Sequence, residues 1–99
     1  MRVQLSLGSN LGDKHRQLDK ALNALDAHEH ISLHTVSLRY ETEPVGLEEQ
    51  PLFVNQAVEI ETDLGPLELL NAVKDIEQSL GREPGTRWGP RTVDIDLIL

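Results

Sequence analysis

An α+β sandwich, with two helices on one face of a four-stranded antiparallel sheet, is the fold class that three features of this 99-residue chain predict. Apolar and polar residues alternate over residues 2–7, 52–61 and 93–99, the period of strands covered on one face only. Residues 12–26 and 66–80 instead repeat apolar side chains at i, i+3, i+4 and i+7, the period of amphipathic helices. The order strand, helix, strand, strand, helix, strand then lets both helices bury their stripes only from the same side of the sheet.

In the first strand Val3, Leu5 and Leu7 oppose Gln4 and Ser6, and Gly8 is expected to end it. "GSNLGDK" follows as a strand-to-helix turn that needs a permissive backbone. It is not a P-loop, because Gly8 and Gly12 are too close and Asp13 stands where a lysine is required. Leu18, Ala21, Leu22 and Leu25 form the first helix stripe, with Asp13 placed in the first turn, where it favours the dipole. Residues 31–42 are rich in β-branched side chains, but the apolar phase changes between Leu33 and Val36, which predicts a bulge or bend. A loop with Pro44, Gly46 and Pro51 leads to the third strand, which puts Leu52, Val54, Val58 and Ile60 on one face and Phe53, Asn55, Ala57, Glu59 and Glu61 on the other. In the second helix Gly65 suits the N-cap, Pro66 the first turn and Gly81 the stop, around a stripe of Leu69, Leu70, Val73, Ile76 and Leu80. The resulting βαββαβ order corresponds to a ferredoxin-like sandwich with strand order 4-1-3-2.

The length fits one domain, residues 1–99, so a single fold carries whatever function exists. Nine Lys+Arg against 17 Asp+Glu give a net charge of −8, a field that repels nucleic acid and anionic membrane surfaces. An RNA-reading sheet on the same plan would need a basic face and stacking aromatics on its central strands, and the first strand has none. The absence of cysteine excludes disulfides and thiolate metal sites, and no apolar run reaches membrane-spanning length. The expectation is a cytoplasmic protein acting on small molecules, a monomer or weak homodimer.

Against that acidic background, "GREPGTRWGPRTVDIDLIL" gathers Arg82, Arg87 and Arg91, three of the six arginines, around the lone Trp88. Guanidinium forks suit phosphate oxygens, and the indole offers a stacking plane. In the last strand Val93, Ile95, Leu97 and Leu99 face the helices, so Asp94 and Asp96 point together to the open face, with Cβ atoms about 6–7 Å apart. They can hold a metal jointly, and next to arginines the pair suits Mg²⁺, which completes its shell with water and phosphate oxygens. Phe53 and Asn55 lie on the same open face, roughly 10 Å across an intervening strand, so the space between could hold a flat polar heterocycle. Glu77, beside the second helix stripe, reads either as a solvated flank residue or as a ligand contact. His28, His30 and His34 are too loosely spaced to argue for zinc.

The run from Arg87 to Ile98, "RWGPRTVDIDLI", resembles the signature of the 6-hydroxymethyl-7,8-dihydropterin pyrophosphokinases, and "LSLGSNLGD", "YETEPVG" and "FVNQAV" match the family in order along the chain. The resemblance implies a ferredoxin-like core and transfer of pyrophosphate from ATP to the hydroxymethyl group of the pterin, giving AMP, in folate biosynthesis. It implies two Mg²⁺ ions on Asp94 and Asp96, with Arg82 and Arg91 as catalytic contacts to the phosphates. Glu77, Arg82, Arg87, Trp88 and Arg91 match positions around ATP. Thr42, Pro44, Val45, Phe53, Asn55 and Trp88 match positions around the pterin, where Phe53 stacks and Asn55 reads the ring.

Two departures from the family pattern carry expectations of their own. The loop after Arg82 is shorter and has Pro84 where a further arginine usually stands, so its grip on phosphate is expected to differ. Family members also continue past the Asp-x-Asp strand, with a Pro-His-Pro-Arg type segment and an aromatic that closes the pterin pocket. The chain thus corresponds to the N-terminal core, with weak binding of both ligands expected from it alone. The alternative is a non-catalytic remnant that binds pterin or Mg-nucleotide, completed by dimerisation through its open edge.

Overall fold

The computed structural model describes residues 1–10, 12–43, 52–81 and 93–98. Their order is β1 (Arg2–Ser9), α1 (Lys14–Ala27), β2 (Ile31–Val36), β3 (Tyr40–Thr42), β4 (Phe53–Thr62), α2 (Pro66–Gly81) and β5 (Asp94–Ile98). The sheet has five strands, not four. It runs β2-β4-β1-β5, with β3 also paired to β4, and the pairings are antiparallel.

The extra strand comes from the segment expected to be one bent strand over residues 31–42. Its register slips between Leu33 and Thr35, at the predicted change of phase. It then leaves the ladder after Val36 and returns as β3, which pairs Tyr40, Glu41 and Thr42 with Asn55, Val54 and Phe53. Ser37 bridges the gap: its N–H donates to Ala57 O at 2.8 Å, and its Oγ accepts from Ala57 N at 2.8 Å.

Gly8 does not end β1, which continues to Ser9. At the entry to α1, Gly12 takes φ +62, a backbone state that glycine adopts without steric cost. Asp13 is the N-cap of the helix and not a first-turn residue, its side chain accepting from Arg16 N at 3.2 Å. Gly65 starts α2 as expected, its carbonyl accepting from Leu69 N at 2.9 Å.

Alternation along the strands and the helix stripes converge on one core. Val3, Leu5 and Leu7 of β1, Val54, Val58 and Ile60 of β4, and Val93 and Ile95 pack with Leu18, Ala21 and Leu25 of α1 and Leu69, Val73 and Ile76 of α2. Leu70, expected in the α2 stripe, is exposed, whereas Glu77, two turns further along α2, is only 8% exposed. Leu5 is fully buried at the centre of the sheet, so Leu5→Ala leaves a cavity that the close-packed core fills poorly. The expected loss is about 3 kcal/mol of unfolding free energy, read as a lower denaturant midpoint at unchanged m-value.

Candidate active site

The open face of the sheet, opposite the helices, carries the site. Register fixes its rows. Gly8 pairs with Asn55 on β4 and with Asp94 on β5, so Asp94, Gly8 and Asn55 form one row across three strands. Ser6 pairs in the same way with Ala57 and Asp96. Two strand spacings place Asp94 about 10 Å from Asn55, with the glycine between them. β3 supplies the far wall, with Thr42 opposite Phe53.

These residues line an open cleft of about 220 Å³: Ser6 and Gly8 form its floor, Asp94 and Asp96 one side, Phe53 and Asn55 the other, and Thr42 and Glu43 the end. That is smaller than the ~300–1,000 Å³ typical of drug-sized ligand sites, so a cleft of this volume suits a small ligand. Asn55 Nδ2 donates to Thr42 Oγ1 at 2.6 Å, which orients the amide. Its Oδ1 lies over Gly8, 3.1 Å from where a Cβ on that glycine would stand, with Phe53 Cδ1 at 3.7 Å from the same point. Gly8 was expected only as a strand breaker. Its role as a bare floor under Asn55 and Phe53 depends on pairings 47 and 86 residues away along the chain, Gly8 with Asn55 and Gly8 with Asp94.

The structure therefore brings together Thr42, Phe53, Asn55, Asp94 and Asp96. Pro44, Val45, Arg82, Arg87, Trp88 and Arg91 lie outside the described residues. Glu77 is placed differently from these. It sits on the helix side of β5, and its Oε1 accepts the N–H of Ile95 at 2.9 Å, with Lys74 Nζ at 3.5 Å from the same oxygen. Among the described residues β5 pairs with β1 alone, and Glu77 takes up the N–H between the two aspartates. The flanking position visible in sequence is thus a buried one, and nothing local to α2 reveals its partner 18 residues on.

Electrostatics decide what such a cleft can hold. Glu43, Asp94 and Asp96 put three carboxylates on its lining, and among the described lining residues there is no cationic side chain. These three carboxylates by themselves would repel a phosphate group. A divalent cation held at Asp94 and Asp96 would reverse that balance, and an all-oxygen donor set of two carboxylates on one strand fits Mg²⁺ better than a thiophilic metal. Among the described residues no group of three His, Cys, Asp or Glu converges on one point. The histidines do not form a centre either: His30 Nδ1 lies 3.0 Å from Asp63, and His34 Nε2 lies 3.8 Å from Glu59.

Fold and site together define a small α+β domain that presents a polar cleft and a carboxylate pair on one sheet face. Residues 4–99 match the family model of 7,8-dihydro-6-hydroxymethylpterin-pyrophosphokinase, and the chain belongs to that family. The 2-amino-4-hydroxy-6-hydroxymethyldihydropteridine pyrophosphokinase of Bacillus subtilis is 48% identical over 95 residues, which cover 96% of this chain and 57% of that protein. The protein of the same name from Pseudomonas aeruginosa is 43% identical over 98 residues, 99% of this chain and 60% of its own length. A mitochondrial folate synthesis bifunctional protein of Pisum sativum is 45% identical over 97 residues, 97% of this chain and 18% of that protein. The chain thus spans a little over half the length of the two bacterial relatives. No helix among the described residues is long and apolar enough to cross a membrane.

Proposed function

We propose that this ferredoxin-like domain transfers the pyrophosphoryl group of ATP to the hydroxymethyl group of 6-hydroxymethyl-7,8-dihydropterin, releasing AMP, as a step of folate biosynthesis in the cytoplasm. The observation that carries the proposal is the row Asp94, Gly8, Asn55, which sets an amide reader and a carboxylate pair on opposite sides of one small cleft. The pterin lies over Gly8 with Phe53 against its face. Asn55 Oδ1, turned into the cleft by the bond from Nδ2 to Thr42, accepts from the ring's N–H donors. Pro44, Val45 and Trp88 complete the pterin contacts, and Arg82, Arg87, Trp88 and Arg91 serve the nucleotide, whereas Glu77, expected there too, is buried on the helix side of β5 with its carboxylate on the Ile95 N–H.

Asp94 and Asp96 would hold Mg²⁺, two ions in the full assembly, which supply charge neutralisation for the triphosphate when bound. The protein's own task is placement. The hydroxymethyl oxygen is held in line with the β-phosphorus; an O–P bond forms there while the bond from that phosphorus to the α,β-bridging oxygen breaks, AMP departs and the hydroxyl proton is released. Arg82 and Arg91 stabilise the charge on the transferring group. Glu77 keeps β5 straight by satisfying the Ile95 N–H between the two ligands.

Incubating the chain with ATP, Mg²⁺ and hydroxymethyl-dihydropterin tests this. AMP should form, and Asn55→Ala should weaken pterin binding by about 10²-fold, the loss expected when a ring donor is left without its acceptor. Pterin binding with no AMP would point to a non-catalytic binding domain. No binding of pterin at all would sink the assignment of the cleft.

A further inference from the structure

The wall of the cleft formed by β3 is held in an unusual way. All three residues of β3 are exposed, and the strand pairs with β4 over Tyr40, Glu41 and Thr42 alone, so no buried apolar side chain of its own fixes it. A three-residue edge strand of that kind is weakly held unless something anchors its start. Arg39, the residue before it, is such an anchor. Its Nε donates to Gln56 Oε1 at 3.1 Å, its Nη1 donates to the His15 carbonyl at 3.2 Å and lies 3.1 Å from His15 Nδ1, and its Nη2 pairs with Asp19.

Each partner belongs to a rigid element. His15 and Asp19 are one turn apart on α1, and Gln56 is 5% exposed on the helix side of β4. Gln56 uses both ends of its amide on this segment, since its Nε2 also donates to Ser37 O at 2.7 Å. Its neighbour Asn55 faces the other way and donates to Thr42 Oγ1 at 2.6 Å. Adjacent amides on β4 thus grip the two ends of the 37–42 segment, one from each face of the sheet, and Arg39 ties the first end to α1.

The geometry points to Arg39 as a positioning residue for pterin recognition. It fixes the start of β3, and through β3 it sets the place of Thr42 beside Asn55. Arg39 itself is not among the cleft's lining residues. The planar guanidinium is needed because its separate nitrogens meet three side chains and a carbonyl at once, a geometry that a lysine ammonium does not reproduce. This assignment rests on the proposed pterin site, and the experiment separates the two.

Pterin titrations and steady-state kinetics would be compared for the parent chain, Arg39→Ala, Arg39→Lys, Thr42→Ala and the double variant Arg39→Ala/Thr42→Ala, alongside the NMR signal of the Asn55 side-chain amide. Arg39→Ala should weaken pterin binding about tenfold and raise its KM without lowering kcat, and should shift the Asn55 amide towards its solvent-exposed position. Arg39→Lys should not restore either, and Thr42→Ala should cost little more once Arg39 is gone, because the two act as one unit. A lower melting temperature with pterin affinity and the Asn55 amide unchanged overturns the inference, as do losses that simply multiply in the double variant. If the parent chain binds no pterin, the site reading fails, and the Asn55 amide alone then decides: unmoved in Arg39→Ala, it overturns the positioning role.

Discussion

Asp96→Ala is expected to lower the rate of AMP formation by about 10³-fold, roughly 4 kcal/mol of lost transition-state stabilisation, while the melting temperature stays within a few degrees of the parent. The two halves of that expectation come from different features of one residue. Asp96 is exposed on an edge strand, and among the described residues no hydrogen bond or ion pair employs its carboxylate, so truncation removes nothing the fold depends on. It nevertheless stands on the same face as Asp94, two residues apart, where the proposed site would have the pair share a cation that neither carboxylate could hold as well alone. Asp96→Asn keeps the shape and removes the charge, and should fall nearly as far. Raising the Mg²⁺ concentration should recover part of the Asn variant's rate, because the defect lies in holding the ion. AMP formation within tenfold of the parent, at saturating ATP and pterin, would remove Asp96 from the catalytic set.

The face on which these aspartates lie was legible in sequence because a strand has a period of two: once Val93 and Ile95 are assigned to the core, Asp94 and Asp96 have no other direction to point. The same reasoning put Phe53 and Asn55 on that face, and the pairing of β1 between β4 and β5 brings them to the cleft. Periodicity failed where long-range polar bonds took over. The break after Val36 depends on Ser37 bonding to Ala57, and the anchoring of Arg39 depends on Gln56 and α1, none of which is local to residues 31–42. Glu77 read either as a flank residue or as a ligand contact because helical spacing cannot show that an N–H of β5 waits beside it. Each failure is a polar group whose partner lies far along the chain.

Gly8→Val is expected to raise the pterin Kd by at least about 10²-fold while ATP and Mg²⁺ binding change little, a loss of roughly 3 kcal/mol confined to one ligand. Valine is a good strand residue, so sheet propensity at this position does not oppose the change and modestly favours it. The obstacle is space. A Cβ alone would stand 3.1 Å from Asn55 Oδ1 and 3.7 Å from Phe53 Cδ1, and the two methyls beyond it project from the floor into the volume between those groups and Asp94. Asn55 can yield only by turning its amide, which breaks its 2.6 Å bond to Thr42 and carries the acceptor away from the ring edge. Gly8→Ala should lie between the parent and valine variants, since the far end of one side chain must give by a few tenths of an ångström. The measurement is a pair of titrations, pterin and nucleotide separately, on variants whose unfolding midpoints have first been matched to the parent. Equal weakening of both ligands would mean that the substitution disturbed the sheet as a whole. Unchanged pterin affinity in Gly8→Val would mean that the ring does not lie over this glycine, and the row from Asp94 to Asn55 would lose its claim to be the pterin site.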